Sequence, residues 1–503
     1  MKPALSFLLL CCVACTPVVN DDDKADDDVD DGCVDVDVCV DRCGAAVDAC
    51  DVEVDCGACR DDDTVDALLA EVDEAIGIWL ARGYMQDIVT IDVFALYEGV
   101  EDRLRNTPGT DDVALLRGLW FALRTFRNGH AGVFRGDVAC REVGGADVGS
   151  SAFGVCALPS GDGFVVVDGP GGERPAALAP GDVVVDVAFA SGIGGASGSV
   201  VERILEQPLC GNAATNDEGA VDVAAQALFS VVRPGDVLTV RGLDGATREV
   251  VLADGDERAV VPCRFNNARP WIEATVRDDD VAVIRLTRFT LFPGEPGYVD
   301  AITNEDVQRF IDNMIDQVRV VLDALPSTVR GVVWDARGNI GGASPVGFAI
   351  AAGMPSRRDV SIARCTTRIE GSDPVDYFVG GPDYDLVDDD RLAFAAPAAV
   401  LIDGMAISAA DYFARAVQLG TDTPLFGRPA TGAYGGGGTS ETLSTRPELI
   451  VGYDPYRCND VDGAALETRP TRPDVLIEQD PVDASIGIDT VLEAAVVSVL
   501  ATR

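Results

Sequence analysis

Segments typical of strands and of helices alternate along residues 270–500. The six clearest segments follow the order strand 281–286, helix 304–325, strand 329–335, helix 345–354, strand 398–403 and helix 408–419. This alternation predicts an α/β fold with a largely parallel sheet, because parallel strands need a long crossover connection between them. In a sheet of this kind the ligand site lies at the carboxyl ends of the strands.

Two strand-to-helix turns in this region carry residues suited to chemistry. Residues 335–345 read D-A-R-G-N-I-G-G-A-S-P, and their glycines would let backbone N–H groups converge on an anion at a helix N-terminus. The GK[ST] ending of a phosphate-binding P-loop is absent there. The second turn leads from Asp403 to Ser408, at the start of a helix. Ser408 is either an exposed nucleophile, with the Ala409 N–H facing a developing oxyanion, or an ordinary helix N-cap.

The preceding residues 64–149 are predicted as a helical region. Apolar residues recur there at spacings of three and four up to about residue 126. We expect the last helix to begin at an N-cap on Thr110 and to end near Asn128-Gly129, a pair suited to a left-handed C-cap. His130, the only histidine of the chain, follows directly.

Residues 150–260 contain short β runs between glycine turns, at 164–167, 182–187 and 237–241. Residues 175–185 resemble the helix-to-strand passage of PDZ domains, which bind C-terminal peptides by strand addition. A purely structural β-module is the alternative interpretation.

The N-terminus predicts export. A lysine, the apolar run 4–13 and a small residue form a signal peptide over residues 1–15. Cys15 after Val13-Ala14 resembles a bacterial lipobox and is the expected lipidation site, with plain secretion as the alternative.

Residues 16–32 are predicted as an acidic linker: residues 21–63 carry 18 acidic and three basic side chains. A solvated spacer is favoured over a calcium-binding loop.

Cysteine usage agrees with an oxidising compartment. Six of the 15 cysteines crowd into residues 33–60, a stretch too short to bury a core, so three disulfides are the expected support. Zinc is the rival interpretation, because residues 56–59 form a CxxC. Six further cysteines fit three more bridges whose pairing the sequence leaves open: Cys140, Cys156, Cys210, Cys263, Cys365 and Cys458.

Charge and residue counts exclude several functions. A formal net charge of −45 argues against nucleic-acid partners, which need clustered Lys and Arg. A single histidine excludes a site with two histidine ligands, and no metal or cofactor is expected. The only lysines, Lys2 and Lys24, lie in the predicted leader and linker, so the folded core has no lysine for catalysis.

The two turns resemble those of a known family. Residues 335–342 resemble the D-L-R-G-N-G-G-G loop of the C-terminal processing peptidases, and residues 404–411 (G-M-A-I-S-A-A-D) resemble their S-A-S-A-S-E nucleophile turn. The helical region, the PDZ-like insert and the α/β core also follow this family's order over residues 64–500. The resemblance implies a crotonase-like α/β catalytic core over 270–500. It also implies a serine endopeptidase that acts through an acyl-enzyme, with an oxyanion hole of Gly341, Gly342 and Ala409.

One departure from the family changes the expected catalytic base. The processing peptidases pair the serine with a lysine 25 residues later, and Ala433 occupies that place here. The tricorn-like branch uses a histidine after the N-terminal helices and a glutamate before a Pro-Asp pair, which His130 and Glu467 resemble. The resemblance therefore implies a Ser408–His130–Glu467 triad. Other orienting carboxylates stay open, namely Asp411, Glu441 and Asp474, and His130 and Glu467 each also have a purely structural interpretation.

Two rival functions stay open beside the peptidase. The lost lysine is compatible with a non-catalytic ligand- or peptide-binding protein on the same fold, and the Cys-rich module could make the chain an adhesin.

The expected partners are protein or peptide substrates, and a membrane through the lipid on Cys15. The expected location is the outer membrane, cell surface or periplasm of a Gram-negative bacterium. The oligomeric state is not predicted.

Overall fold

The computed structural model describes residues 45–47, 53–55, 59–83, 90–135, 140–169, 174–193, 198–212, 214–253, 256, 260–263, 270–300, 303–368, 377–378, 382–387, 391–436 and 439–502. The expected signal peptide, Cys15 and the acidic linker lie outside these residues. Of the Cys-rich module, the structure describes the antiparallel pair β1 (Ala45–Val47) and β2 (Glu53–Asp55). Cys59, its one described cysteine, is disulfide-bonded.

Three helices form the N-terminal region: α1 (Asp62–Arg82), α2 (Val93–Asn106) and α3 (Asp111–Phe126). The N-cap prediction is confirmed, because the Thr110 side chain accepts the Val113 N–H at 3.4 Å. The predicted helix end is wrong in detail: Arg127, with φ of 51°, is the left-handed C-cap. Asn128 instead accepts the His130 and Ala131 N–H groups with its side chain, at 2.9 and 3.0 Å, and so closes the turn that carries His130.

A β-module follows, with an antiparallel sheet in the order β11-β10-β8-β7-β6. The elements of this part of the chain are β3 (Gly132–Phe134), β4 (Ala146–Asp147), β5 (Ser150–Ser151), β6 (Val155–Ser160), β7 (Gly163–Asp168), β8 (Val183–Ala188), α4 (Val200–Leu205), β9 (Leu209–Asn212), α5 (Asp217–Val231), β10 (Val237–Arg241), β11 (Thr247–Val251) and β12 (Val261–Pro262). The expected helix before β8 is not formed in residues 174–182, where the chain makes turns, one closed by Leu178 N–H on Pro175 O at 3.1 Å.

The remaining chain forms the α/β core predicted from the alternating pattern. Its elements are β13 (Ile272–Val276), β14 (Val281–Leu286), α6 (Asn304–Asp323), β15 (Gly331–Asp335), α7 (Ser344–Ala352), β16 (Val360–Arg368), β17 (Tyr377–Phe378), β18 (Asp383–Leu386), β19 (Ala398–Ile402), α8 (Ala409–Gly420), β20 (Leu425–Gly427), β21 (Thr439–Thr442), β22 (Ile450–Tyr453), β23 (Tyr456–Asn459), β24 (Val475–Leu476), α9 (Pro481–Ser485) and α10 (Thr490–Ala501). The main sheet has the order β13-β14-β15-β19-β20-β24 and is parallel except at the β13–β14 pair. The predicted α/β fold with a largely parallel sheet is confirmed.

Both faces of this sheet are buried, which explains the continuous apolar runs of its strands. Val332 and Trp334 of β15 belong to the apolar cluster that includes residues of α6, α7 and α8. Val333, between them, belongs to the cluster that includes Val496 of α10. Successive side chains of a strand point to opposite faces, so the helices cover both sides.

A second sheet brings distant parts of the chain together, in the order β21-β22-β3-β9-β4. Strand β22 of the core pairs antiparallel with β3, with Gly452 opposite Gly132. Because His130 lies two residues before Gly132 and Asp454 two residues after Gly452, this register directs both toward the same place.

The six body cysteines form three disulfides, as expected: Cys140–Cys210, Cys156–Cys263 and Cys365–Cys458. Among the described residues, no helix has the length and apolar character needed to cross a bilayer.

Candidate active site

Ser408 lies between β19 and α8, at the carboxyl edge of the main sheet. Its backbone has φ of 62° and ψ of −121°, an unfavourable conformation for a residue with a side chain. Its hydroxyl makes no capping hydrogen bond to α8, in contrast to an ordinary N-cap serine. The half-buried Ser408 side chain is therefore held in a strained turn without a structural hydrogen bond to the helix it precedes.

The glycine loop after β15 is fastened to the Ser408 turn. The Asp403 carboxylate accepts the Gly338 N–H at 2.8 Å and the Met405 N–H at 3.1 Å, so it joins both turns. The Ile407 N–H donates to the Asn339 carbonyl at 3.0 Å. These bonds fix the glycine loop against the residue that precedes Ser408.

The three expected oxyanion donors, the N–H groups of Gly341, Gly342 and Ala409, differ in their hydrogen bonds. A Cβ added at Gly341 would lie 3.0 Å from the Ala409 nitrogen, so the loop closely approaches that N–H. In the described part of the chain, the Gly342 and Ala409 N–H groups have no hydrogen-bond acceptor. The Gly341 N–H differs from the expectation, because it donates to the Asn339 side-chain oxygen at 2.8 Å.

His130 lies two residues before β3, and its side chain is 9% exposed. Burial lowers the pKa of His130 to about 4, so the imidazole is neutral at pH 7 and can accept a proton. Within the described residues neither ring nitrogen makes a hydrogen bond. The ring Nδ1 lies 3.4 Å from Oδ2 of Asp454, which is fully buried.

Two buried carboxylates connect the Ser408 and His130 turns through the backbone of residues 432–434. Asp411 in the first turn of α8 accepts the Gly432 and Ala433 N–H groups at 2.8 and 3.1 Å. Glu467 accepts the Tyr434 N–H at 2.8 Å and the N–H of Gly129, next to His130, at 3.3 Å. Each carboxylate thus binds the backbone of this segment, and Glu467 also binds the backbone of the histidine turn.

Ala433, at the position where the processing peptidases carry lysine, is fully buried. A Cβ added at Gly129 would lie only 2.5 Å from the Ala433 Cβ. The turn that carries His130 therefore packs directly against the alanine. This contact leaves no room for a side chain at the glycine that precedes the histidine.

The carboxylates around this segment differ in pKa. Burial raises the pKa of Asp411 to about 8, against the hydrogen bonds from Gly432 and Ala433. Burial, followed by the charge of Glu467, raises the pKa of Asp454, while the Tyr456 and Gly436 N–H groups lower it. Several acids concentrated in a dry site with one histidine are typical of a functional site.

Two alternative orienting carboxylates lie in other surroundings. Glu441 forms an ion pair with Arg82 and is about 30% exposed. Asp474 accepts the Leu425 N–H at 2.8 Å at the start of β20. Asp454 was not among the site residues predicted from the sequence. Finding it would have required a prediction that strand β22 pairs with strand β3.

Arg337 in the glycine loop forms an ion pair with Asp335, with Nε to Oδ1 at 2.7 Å. Its other guanidinium nitrogens bind the Asp489 carboxylate at 2.9 and 2.7 Å. The Arg337 side chain is 3% exposed and Asp335 2%. This buried pair anchors the base of the loop beside α10.

The strained serine turn at the edge of the parallel sheet is linked through residues 432–434 to the turn of a neutral histidine, and both features are expected of a serine-type hydrolase. Residues 280–477 match the model of peptidase family S41, and this match supports a serine-type peptidase. The match covers both turns and the strands of the main sheet except β13. No curated protein matches the sequence.

Several solved structures are similar to this chain. Mature CPAF complexed with lactacystin is similar with a TM-score of 0.55 at 13% identity, over 84% of this chain and 96% of that one. The photosystem II D1 C-terminal processing protease has a TM-score of 0.39 at 16% identity, over 83% and 96% of the two chains. The tricorn protease has a TM-score of 0.41 at 15% identity, over 89% of this chain and 37% of that one.

Proposed function

We propose that this protein is an exported serine endopeptidase that hydrolyses unfolded or C-terminal protein segments through an acyl-enzyme. Ser408 is the nucleophile, His130 its general base, and Glu467 the carboxylate that holds the histidine turn. The observation that carries the proposal is the strained Ser408 turn, whose hydroxyl makes no hydrogen bond to cap α8. Strained backbone of this kind concentrates at active sites.

In the proposed reaction, the neutral His130 ring takes the proton of the Ser408 hydroxyl as its oxygen attacks the scissile carbonyl carbon. The carbonyl oxygen becomes an oxyanion, which the Gly342 and Ala409 N–H groups bind. The protonated ring then gives its proton to the leaving amine, and water releases the acyl group by the same steps. Gly341, whose N–H is bound to Asn339, supports these donors by close packing.

The use of histidine in place of lysine is supported by packing. Ala433 leaves no amine in the position of the family's base, and Gly129 brings the histidine turn against it. Glu467 bridges the Gly129 and Tyr434 N–H groups, so it keeps this contact closed. The histidine turn therefore lies against Ala433 at the position of the family's lysine.

The remaining parts of the proposal concern export and substrate delivery. The leader over 1–15 directs export and Cys15 receives the lipid, so the enzyme acts at the outer membrane, cell surface or periplasm of a Gram-negative bacterium. The PDZ-like module over 150–260 presents unfolded or C-terminal tails to the helical region (64–149) and core (270–500). Loss of lipid labelling in Cys15→Ala, with labelling retained in Cys59→Ala, would test the anchor.

The enzymatic proposal is tested by incubating the full chain with a reduced, alkylated substrate protein and mapping new termini by mass spectrometry. We expect cleavage by the wild type and by Ser498→Ala, which changes a serine of α10, and none by Ser408→Ala. Absence of cleavage by the wild type, with saturable binding of the same substrate, would favour the non-catalytic alternative. Equal cleavage by Ser408→Ala would refute the nucleophile assignment.

A further inference from the structure

The His130 ring and the Glu467 carboxylate do not meet directly in the described structure. Both Glu467 oxygens accept backbone N–H groups, from Gly129 and Tyr434. The carboxylate within ion-pair distance of the ring belongs to Asp454, at 3.4 Å from Nδ1. Two different acids therefore contact the histidine turn: Glu467 binds its backbone, and Asp454 lies against the ring.

Asp454 is held so that one of its oxygens faces the ring. Its Oδ1 accepts the Tyr456 N–H at 2.9 Å and the Gly436 N–H at 3.2 Å. Its Oδ2 is buried, and among the described residues it makes no hydrogen bond. Two backbone donors on one oxygen leave the carboxylate little freedom to rotate, so Oδ2 stays directed at Nδ1.

Gly435 provides the space for this carboxylate. A Cβ added at Gly435 would lie 1.1 Å from Oδ2 of Asp454, so no other residue fits there without displacing the acid. The antiparallel register of β22 and β3 places the acid beside the histidine. Sheet pairing, backbone hydrogen bonds and a missing side chain thus converge on a single contact.

We infer that Asp454 is the positioning carboxylate of His130: it accepts a hydrogen bond from Nδ1–H, so that Nε2 is unprotonated and free to accept from the Ser408 hydroxyl. This inference rests on the proposed function and assigns Glu467 to the backbone of the turn. The 3.4 Å separation of Nδ1 and Oδ2 is long for a hydrogen bond, and catalytic hydrogen bonds are often long in free enzymes. When Nε2 takes the serine proton, the Asp454 carboxylate stabilises the imidazolium.

The chain offers an unusually direct test, because His130 is its only histidine. In protein labelled with ¹⁵N-histidine and purified without a histidine tag, each ring nitrogen gives a single resonance in NMR. We expect the wild type at pH 7.5 to show the tautomer protonated at Nδ1. A ring protonated at Nε2 would overturn the inference without any variant, because Asp454 would then be the donor and not the acceptor.

Two matched amide variants extend the test. In Asp454→Asn the side-chain oxygen can keep both backbone donors, so its NH₂ faces Nδ1 and should switch the ring to the Nε2-protonated tautomer. We expect kcat to fall about 10³-fold or more with KM nearly unchanged, as for a wrong tautomer. In Glu467→Gln we expect the Nδ1-protonated tautomer to remain, and thermal stability to fall together with activity.

The opposite pattern, with the tautomer changed only by Glu467→Gln, would assign the ring to Glu467 and overturn the inference. The NMR result also separates the two proposals. If the wild type shows the Nδ1-protonated tautomer and Asp454→Asn switches it, but no substrate is cleaved, the peptidase proposal fails while the contact between the two residues stands.

Discussion

The Gly341 backbone lies directly against Ser408: a Cβ added at Gly341 would be 2.6 Å from the Ser408 Cβ and 2.7 Å from the Ile407 carbonyl oxygen. Contacts this short leave no room for a side chain between the two turns. The glycine loop and the nucleophile turn therefore form a single unit, in which the position of one determines the position of the other.

Gly341→Ala should lower kcat/KM by at least 10²-fold, on the order of the loss of an oxyanion donor. The added methyl must displace Ser408 or the loop. The matched control is Gly463→Ala: Gly463 has φ of 84°, close to the 81° of Gly341, but a Cβ there would meet nothing within 4 Å. Both variants should carry a similar backbone strain, and steady-state kinetics should separate them. Equal activities would show that the contact with Ser408 has no catalytic role.

His130→Ala should lower kcat by about 10²–10⁴-fold, the range expected for loss of a general base. The residue is the only imidazole in the chain, so no neighbouring histidine can replace it. The measurement is kcat and KM on the substrate that the wild type cleaves, with the unfolding midpoint as the control for folding. A folded variant within tenfold of the wild type would exclude His130 as the base.

Asp411 should make the protein less stable as pH rises. Burial raises its folded-state pKa to about 8 from an ordinary value of 3.8, so the folded protein binds more protons than the unfolded chain between these values. This contribution is full below about pH 4 and is lost as pH rises through 8, by up to about 1.4 kcal/mol per pH unit.

The check is the free energy of unfolding of the wild type and Asp411→Asn at pH 5, 6.5 and 8, from urea titrations. Asparagine loses one acceptor for the Gly432 or Ala433 N–H, so it should be less stable at pH 5. Its deficit should shrink toward pH 8, and Asp316→Asn, at an exposed site on α6, is the control substitution. A deficit for Asp411→Asn that does not change with pH would contradict a raised pKa.

Arg337→Met should destabilise the fold by about 3 kcal/mol, because it leaves the buried Asp335 carboxylate without its main partner. Arg285, 3.2 Å from Asp335, compensates only in part because it is 40% exposed. The control is Arg319→Met on α6, where a 48% exposed arginine pairs with Asp316. We expect the control to change the free energy of unfolding by less than about 1 kcal/mol. Similar effects of both variants would deny Arg337 an anchoring role.

Local patterns predicted most of the core. Strand β14 was predicted with the observed bounds, and the helices around it to within a few residues, because apolar runs and helical spacing reflect burial directly. The three body disulfides followed from an even count of cysteines in a chain expected to be exported, but their pairing needed the tertiary structure. The left-handed conformation at Arg127 was missed because Asn128 uses its side chain in the next turn.

The candidate site could be predicted only in part, because some of its residues come together only in the tertiary structure. Ser408 and the glycine loop are contiguous motifs, so the sequence could point to them. Asp454 has no motif: it reaches His130 because β22 and β3, far apart in the chain, pair in one sheet. Likewise, the Asn339 side chain that binds the Gly341 N–H acts through local geometry that the glycine pattern does not reveal.

Covalent labelling of Ser408 tests the central proposal most directly. The folded full chain should react with a fluorophosphonate probe at a stoichiometry approaching one per molecule, and peptide mapping should place the adduct on Ser408. Ser408→Ala should not react, Ser498→Ala should react like the wild type, and heat-unfolded protein should not react. Labelling of Ser408→Ala equal to that of the wild type, or no labelling of the folded wild type, would contradict Ser408 as the activated nucleophile.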